Sequence, residues 1–466
     1  MPRPALTDRN AGFHSQQHRD RIGRRARKAE AVDFFNMLTG PELLRATEEH
    51  LPEHRERLFP PTETLSMFMM QALNEDGSCQ KAVNSWAGRR AAEGLSIRSI
   101  RTGAYCRARQ RLPLAMVQAL ARETGRLLNV RCASAWRGRV VKLVDGSGIS
   151  MPDTRENQAR FPQPCTQAEG VGFPLARIVT VTCLASGALI DAAMGAFAGK
   201  GNSELGLFRR LGAAFSPGEV MLADAFYCNY FLIATLIQAG VDVVFEQNGA
   251  RITDFRRGRR LGARDHIVNW LKPKVRPAWM TLEQYHAFAD EITLREVKVD
   301  GQVVVTTMLN HRAVRKGELS KLYGRRWNIE LDLRALKTTL GMETLHCKTP
   351  QMNEKELWVH LLAYNLIRLL MAQAALNAGL QPRQISFKHT LQMWTEWTAR
   401  PLGKCSTESH FALFRLIAQL RVGNRPDRIE PRMRKRRPKP FPWLKVPRSG
   451  PQPHTEVWSC AEGLSK

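Results

Sequence analysis

An α/β fold is the class this chain predicts, and two observations carry it. Apolar β-type runs alternate with helical segments through the middle of the chain, and helical periodicity alone governs both flanks. At 466 residues there is material for two or three domains with substantial cores. A third observation concerns partners. The chain sets 70 Lys and Arg against 43 Asp and Glu, a formal +27. That balance favours nucleic acid, because each phosphate neutralised releases condensed counterions.

The elements follow in order. The first 30 residues are polar and basic (HRDRIGRRARKAE) and read as a segment that orders on a phosphate backbone. TLSMFMMQAL, SCQKAVNSWAGRRAAEG, TGAYCRARQRL and LAMVQALARETGRLL then carry apolar residues at three- and four-residue spacing. Pro113 is expected to open the last of these helices. Arg107, Arg109 and Arg111 beside Tyr105 make the third a candidate recognition or backbone-clamping helix, with an ordinary solvated face as the alternative. Residues 1–135 are thus expected to form a helical DNA-binding domain.

Strands dominate next. RVVKLVDGSGISM, ARIVTVTCLASG and ALIDAAMGAF are successive β-rich runs with turn residues between them. NSELGLFRRLGAAF leads into EVMLADAFY, and NYFLIATLIQAG leads into VDVVFEQN. Three meandering strands followed by alternating helix and strand is the order expected of an RNase H-like core over residues 136–248. Residues 249–315 depart from it, with a basic tract (RRGRRLGARDH) and the strand-like LREVKV and QVVVTTML. A β-rich insertion subdomain is expected there, since the segment is too long for one loop. Residues 316–372 should complete the core, and residues 373–466 should form a C-terminal helical region with a basic tail.

LWVHLLAYNLIRLLMAQAALNAG is interrupted by His360, Asn365, Arg368 and Gln373, so it reads as a buried helix and not a membrane span. Nine cysteines are scattered singly with no CxxC pair. Thiols in a reducing cytoplasm are expected, without a disulfide framework or zinc site. MPRPALTDRN has no apolar h-region, so no secretory leader is expected and a cytoplasmic location is.

The most informative stretch is KLYGRRWNIELDLRALKTTL. Tyr323, Arg326, Glu330 and Lys337 follow the spacing Y-x2-R-x3-E-x6-K. On one uninterrupted α-helix they would project from a stripe about 60° wide. Such a stripe suits a metal ion held against a phosphodiester. A salt-bridged helix with Glu330 serving Arg326 at i−4 is the alternative. Upstream, Asp145 and Asp224 each end an apolar run, VVKLVD and EVMLAD, and read as carboxylates at or near strand ends. Asp145, Asp224 and Glu330 together would supply hard oxygen ligands for two Mg²⁺ ions. Asp153 reads as a turn residue, Glu204 as a first-turn acid favoured by the helix dipole, and Asp332 as facing away from Glu330. Asp145-Gly-Ser-Gly is not a phosphate loop, because no Gly-Lys-Ser/Thr follows.

With three acids in this order and the YREK spacing intact, the chain resembles a DDE transposase of the insertion-sequence-four family, from about Thr62 to Pro440. The resemblance implies metal-dependent cutting at an element's terminal inverted repeats and joining of the 3′ ends to target DNA, through a hairpin intermediate. It implies Mg²⁺ at Asp145, Asp224 and Glu330, with Mn²⁺ able to substitute. Tyr323, Arg326 and Lys337 would grip double-stranded DNA near the cleavage point. An insertion tryptophan would stabilise an unstacked base, Trp270 being the candidate and Trp279 the other choice, with core packing as the bland reading. A homodimer on paired ends is also implied, its contact expected among the helices after Leu357. Two rivals are a catalytically inactive DNA-binding repressor derived from a transposase and a nuclease without strand joining.

Overall fold

In the computed structural model, which describes residues 49–51, 58–398 and 407–423 except 75, 93, 98, 133–135, 166, 167 and 169, helices come first. They are α1 (Pro61–Ala72), α2 (Cys79–Ala92), α3 (Gly103–Arg111) and α4 (Leu114–Arg131). The basic stretch before residue 31 and the 425–448 tail lie outside the described residues. Pro113 sits at the N-cap of α4, one place earlier than expected, in extended backbone that its fixed φ accommodates. Phe59, Met67, Val83, Trp86, Tyr105 and Ala108 bury together as a small core of α1, α2 and α3.

The sheet follows. Its first part is β1 (Val141–Ser150), the short helix α5 (Arg155–Arg160), β2 (Leu175–Cys183), β3 (Leu189–Ala196), α6 (Glu204–Phe208), β4 (Val220–Ala223), α7 (Tyr230–Gln238) and β5 (Asp242–Glu246). Its second part is β6 (Arg259–Gly262), β7 (Asp265–Leu271), α8 (Leu282–Ala287), β8 (Glu291–Val299) and β9 (Gln302–Thr306). All nine described strands join one mixed sheet in the order β3-β2-β1-β4-β5-β9-β8-β7-β6. β1, β2 and β3 form an antiparallel meander, while β4 and β5 run parallel to β1. β9 pairs antiparallel with β5, so the 249–315 segment lengthens the same sheet.

Central strands are apolar on both faces because both are covered. Leu143, Ile178, Leu222 and Val244 face one core, and Val144, Val179, Met221 and Phe245 face the other. The first core is closed by α4 and the C-terminal helices. These begin with α9 (Lys316–Gly324), a 3-10 turn at Arg325–Trp327, α10 (Asn328–Arg334) and a π turn at Ala335–Thr339. Then come α11 (Pro350–Asn377), α12 (Phe387–Thr398) and α13 (Thr407–Gln419).

α11 starts where its sequence says it should: the Thr349 side chain accepts the Met352 N–H, and Pro350 occupies the first turn. It is apolar nearly all round, the mark of a central helix. It is long and apolar enough to cross a membrane, yet 83% of its 18-residue apolar window is buried inside the protein. Each large apolar side chain enclosed is worth roughly 1.5–3 kcal/mol, enough to carry the polar residues buried with them. From Leu357 onward α11 fills the chain's own interior.

Two polar clamps fix the layers. Asn365 exchanges hydrogen bonds with the Leu189 N–H and C=O, both at 2.8 Å, and donates to Ala121 O. Beside it α4 approaches β3 so closely that a Cβ at Gly125 would lie 2.0 Å from Leu189 O. On α10, fully buried Asp332 accepts from Arg368 at 2.6 Å, from Arg383 at 2.8 Å, and from Thr182. That network ties α10 to α11 and to the end of β2.

Candidate active site

The strand registers line up three carboxylates. β1 pairs with β4 as Val141↔Val220 and Leu143↔Leu222, and β4 pairs with β5 as Val220↔Asp242 and Ala223↔Phe245. Continued past the ladders, these registers set Asp145 level with Asp224, and Asp224 level with Glu246. Adjacent strands lie about 4.8 Å apart. Two-residue periodicity puts the three on the face of Leu143, Leu222 and Val244, toward the helices. The row also sits at the carboxyl ends of parallel strands β4 and β5, where open α/β sheets present a crevice.

Asp224 immediately follows β4, as expected, and its side chain accepts the Phe226 N–H at 2.9 Å, turning the chain into a short 3-10 helix. Asp145 differs from expectation. It lies in the middle of β1, not at its end, because β1 outruns its parallel partner and continues along β2 to Ser150. Burial first, then the neighbouring Asp224 and Glu204, push the Asp145 carboxyl up to about 7, against the pull of the Gly146 N–H and Arg326. Uncompensated negative charge is gathered here.

The motif arm packs above this row, and it is not one α-helix. Tyr323 ends α9, Arg326 lies in the 3-10 turn, Glu330 in α10 and Lys337 in the π turn. The single-stripe reading is corrected accordingly, since a tightened and then a widened turn change the angular step per residue. Arg326 reaches Glu330 at 3.3 Å. Although burial opposes its charge, Tyr323, Glu330, Asp145 and Asp224 together hold the guanidinium above its usual range. Arg326 is thus the group that connects Glu330 to the two aspartates. Tyr323 turns inward, 7% exposed, and donates to Glu246 at 2.8 Å. Lys337 pairs with Glu343 at 3.6 Å.

Two residues of this neighbourhood, Glu246 and Tyr227, escaped the sequence reading, and a third, Glu204, was set aside there as a first-turn acid. Glu246 ends the apolar run VDVVFE as Asp145 and Asp224 end theirs, so its signal was present. Glu204 does open α6 in the first turn, but its carboxyl also rests against Gly146. Burial first raises its affinity for a proton, and Asp224 adds to that. Tyr227, three residues after Asp224, is fully buried beside the same acids. Nothing local marks Glu204 or Tyr227, because their proximity is made by the fold.

Two expected DNA contacts are corrected. Arg109 is 6% exposed; its guanidinium lies 4.0 Å from the Phe68 ring centroid and donates to the sulfurs of Cys79 and Cys347. Two residues along a helix is about 200°, so Arg109 turns inward while Arg107 and Arg111 stay exposed. Trp270 is 5% exposed, donates from Nε1 to Glu296 at 2.7 Å and lies under the Arg251 guanidinium. It is a core residue, unavailable to a base. Trp279, by contrast, is 48% exposed beneath Arg209. Trp327 and Phe226, next to Arg326 and Asp224, are also exposed aromatics.

Comparison with known proteins identifies the family. Residues 136–366 match the family described as the transposase DDE domain, a span that contains Asp145, Asp224 and Glu330. Over 355 residues the chain is 31% identical to the transposase InsG for insertion sequence element IS4 of Escherichia coli (strain K12), covering 73% of this chain and 77% of that one. Among solved structures, a likeness of TM-score 0.40 at 10% identity links 86% of the chain to 85% of the piggyBac transposase in its synaptic complex with hairpin DNA. With identity sustained over most of both sequences, the chain belongs to the IS4 family of DDE transposases.

Proposed function

We propose that this transposase cuts an insertion element at its terminal inverted repeats and joins the freed 3′ ends to target DNA by cut-and-paste, with a hairpin on the element end as intermediate. The observation that carries the reading is the row of Asp145 and Asp224 at equivalent strand positions, bridged by Arg326 to Glu330. The donor atoms are of the kind hard divalent cations take, carboxylate oxygens partly desolvated, although among the described residues no three acids stand close enough together to hold an ion. Asp145, Asp224 and Glu330 would hold two Mg²⁺ ions, or Mn²⁺ in their place. When bound, these supply an activated water or 3′-hydroxyl and stabilise the leaving oxygen.

The chain's own residues do the rest. Arg326 presents a planar fork to a phosphate, and swings between that phosphate and Glu330. Tyr323, held by Glu246, fixes the backbone from which Arg326 projects. Lys337, Arg107 and Arg111 add charge along the duplex. We read β1 to β5 with their helices as an RNase H-like core in two parts (136–248 and 316–372), interrupted by the 249–315 insertion. Residues 1–135 would bind the element end, and 373–466 would dimerise two subunits on paired ends in the cytoplasm. A marked element supplied with its inverted ends tests the reading. It moves with the wild-type chain, and stays in place with Glu330→Gln while end binding persists. Movement at the wild-type rate with Glu330→Gln would remove Glu330 from the site.

A further inference from the structure

Each motif side chain expected to grip DNA already meets an acid of its own chain. Tyr323 donates to Glu246 at 2.8 Å, Arg326 reaches Glu330 at 3.3 Å, and Lys337 pairs with Glu343 at 3.6 Å. Tyr323 is buried in the first pair, and Glu330 already has a part in the reading above. Glu343 has none, yet the backbone places it with care. Gly341, at φ 71°, turns the chain back after the π turn, in the left-handed region that glycine enters without steric cost. The Met342 N–H then donates to Leu336 O at 3.3 Å, and the Glu343 N–H to Lys337 O at 3.2 Å. Glu343 O accepts from the Ser150 N–H at 3.1 Å and from the Ser150 hydroxyl at 3.2 Å. Glu343 is thus tied both to the residue it neutralises and to the end of β1, the strand that carries Asp145.

Exposure separates the two partners. The side chain of Lys337 is 12% exposed and that of Glu343 is 43% exposed. The carboxylate is therefore the outer member of the pair, on the side from which a polyanion must arrive. An ammonium is a point charge that takes a carboxylate or a phosphate oxygen alike. Without DNA, a carboxylate oxygen stands where a phosphate oxygen would stand. A pair this open is weak enough for a duplex to displace, yet it opposes every phosphate that comes to Lys337. On a chain of formal charge +27, this is a place where one cation is withheld from DNA.

We propose that Glu343 is a stand-in for a DNA phosphate: it positions the Lys337 ammonium while no DNA is bound and competes with the duplex backbone for it, lowering the affinity of the motif arm and hastening release. The proposal rests on the reading of Lys337 as a DNA contact. Entry of the duplex exchanges one oxygen acceptor for another at Lys337 Nζ and turns the Glu343 carboxylate out to solvent. The backbone hydrogen bonds of Glu343 to Lys337 and Ser150 stay as they are, so the carboxylate is at hand to retake the ammonium as the phosphate leaves. The effect falls mainly on the dissociation rate.

Binding of a labelled duplex carrying the element's inverted end to the full chain in chelator, followed by fluorescence anisotropy across a salt series, tests this without reference to cleavage. Glu343→Gln should bind about two- to fivefold more tightly at low salt, chiefly through slower dissociation, with thermal melting unchanged. The gain should shrink as salt rises, because salt already loosens an exposed pair. In a Lys337→Met background, which keeps the apolar stem and removes the charge, Glu343→Gln should leave affinity unchanged. Should Lys337→Met fail to fold, Lys337→Gln takes its place. Equal tightening in both backgrounds would mark an acid that merely repels DNA, and overturns the proposal. Unchanged or weaker binding by Glu343→Gln overturns it too, weaker binding meaning that the pair prepares Lys337 for DNA. Lys337→Met alone separates the two readings. If it leaves end binding unchanged, Lys337 is not a DNA contact and the reading beneath the proposal fails; if it weakens binding while Glu343→Gln changes nothing, only the Glu343 proposal does.

Discussion

Asp332 and Asp145 are both sequestered aspartates, and the protein treats them in opposite ways. Asp332 is enclosed completely, and two arginines and a threonine saturate its oxygens. Asp145 is grouped with Asp224 and Glu204, shares one arginine with Glu330, and is pushed toward the protonated state. The first acid fastens α10, which carries Glu330, to the core. The second keeps a concentration of charge that the fold itself does not neutralise. A saturated buried ion network specifies position, whereas an unsaturated one specifies affinity for something absent from the chain.

That contrast can be broken by substitution. The largest effect is expected at the unsaturated site: Asp224→Asn should lower strand cleavage on the order of a thousandfold or more and leave the urea midpoint near wild type. A comparable loss of stability would make Asp224 structural instead. Next, Asp332→Ala strands Arg368 and Arg383 in the interior and should cost about 3–5 kcal/mol in urea unfolding. A cost under 1 kcal/mol would mean that water reaches the network.

The third effect has the opposite sign. Because the folded state holds the Asp145 carboxyl at about 7, while an unfolded chain releases that proton near pH 4, the folded protein binds more protons between those values. Stability from this group therefore falls as pH rises through that window. In chelator at pH 8, Asp145→Asn should be more stable than wild type by about 1–3 kcal/mol, the gain vanishing toward pH 4. A melting comparison across pH decides it, and a gain independent of pH would deny that Asp145 titrates. The smallest effect concerns the arginines of α3. Arg107→Ala should reduce the salt slope of DNA binding by about one unit, while Arg109→Ala should destabilise the chain and leave that slope alone. Equal effects would return Arg109 to the DNA face.

How much of this was legible in the sequence differs by element. Asp224 was readable because a short apolar run that ends in an acid is a strand delivering a carboxylate, and Glu246 carried the same signal unread. Of the residues that interrupt the apolar run of α11, Asn365 and Arg368 turned out to be clamps. Arg109 and Trp270 were misread for one reason: residue type gives the chemistry a side chain can perform, while exposure decides whether it can perform it. Their partners, Cys347 and Glu296, lie 238 and 26 residues away. The broken helix through Tyr323 and Lys337 was also beyond the sequence, since an ideal α-helical step was assumed where packing imposes a 3-10 turn and a π turn.

By itself, then, the sequence determined the class of fold, the family, the basic character, and the three acids and YREK residues that carry the family's motif, because these rest on local periodicity and fixed spacing. Only the tertiary structure decided which acids meet, that Asp332 is neutralised and Asp145 is not, and that Glu204 and Tyr227 stand beside them. Those facts depend on strand register and on the close approach at Gly146, which bring together residues that no local pattern connects.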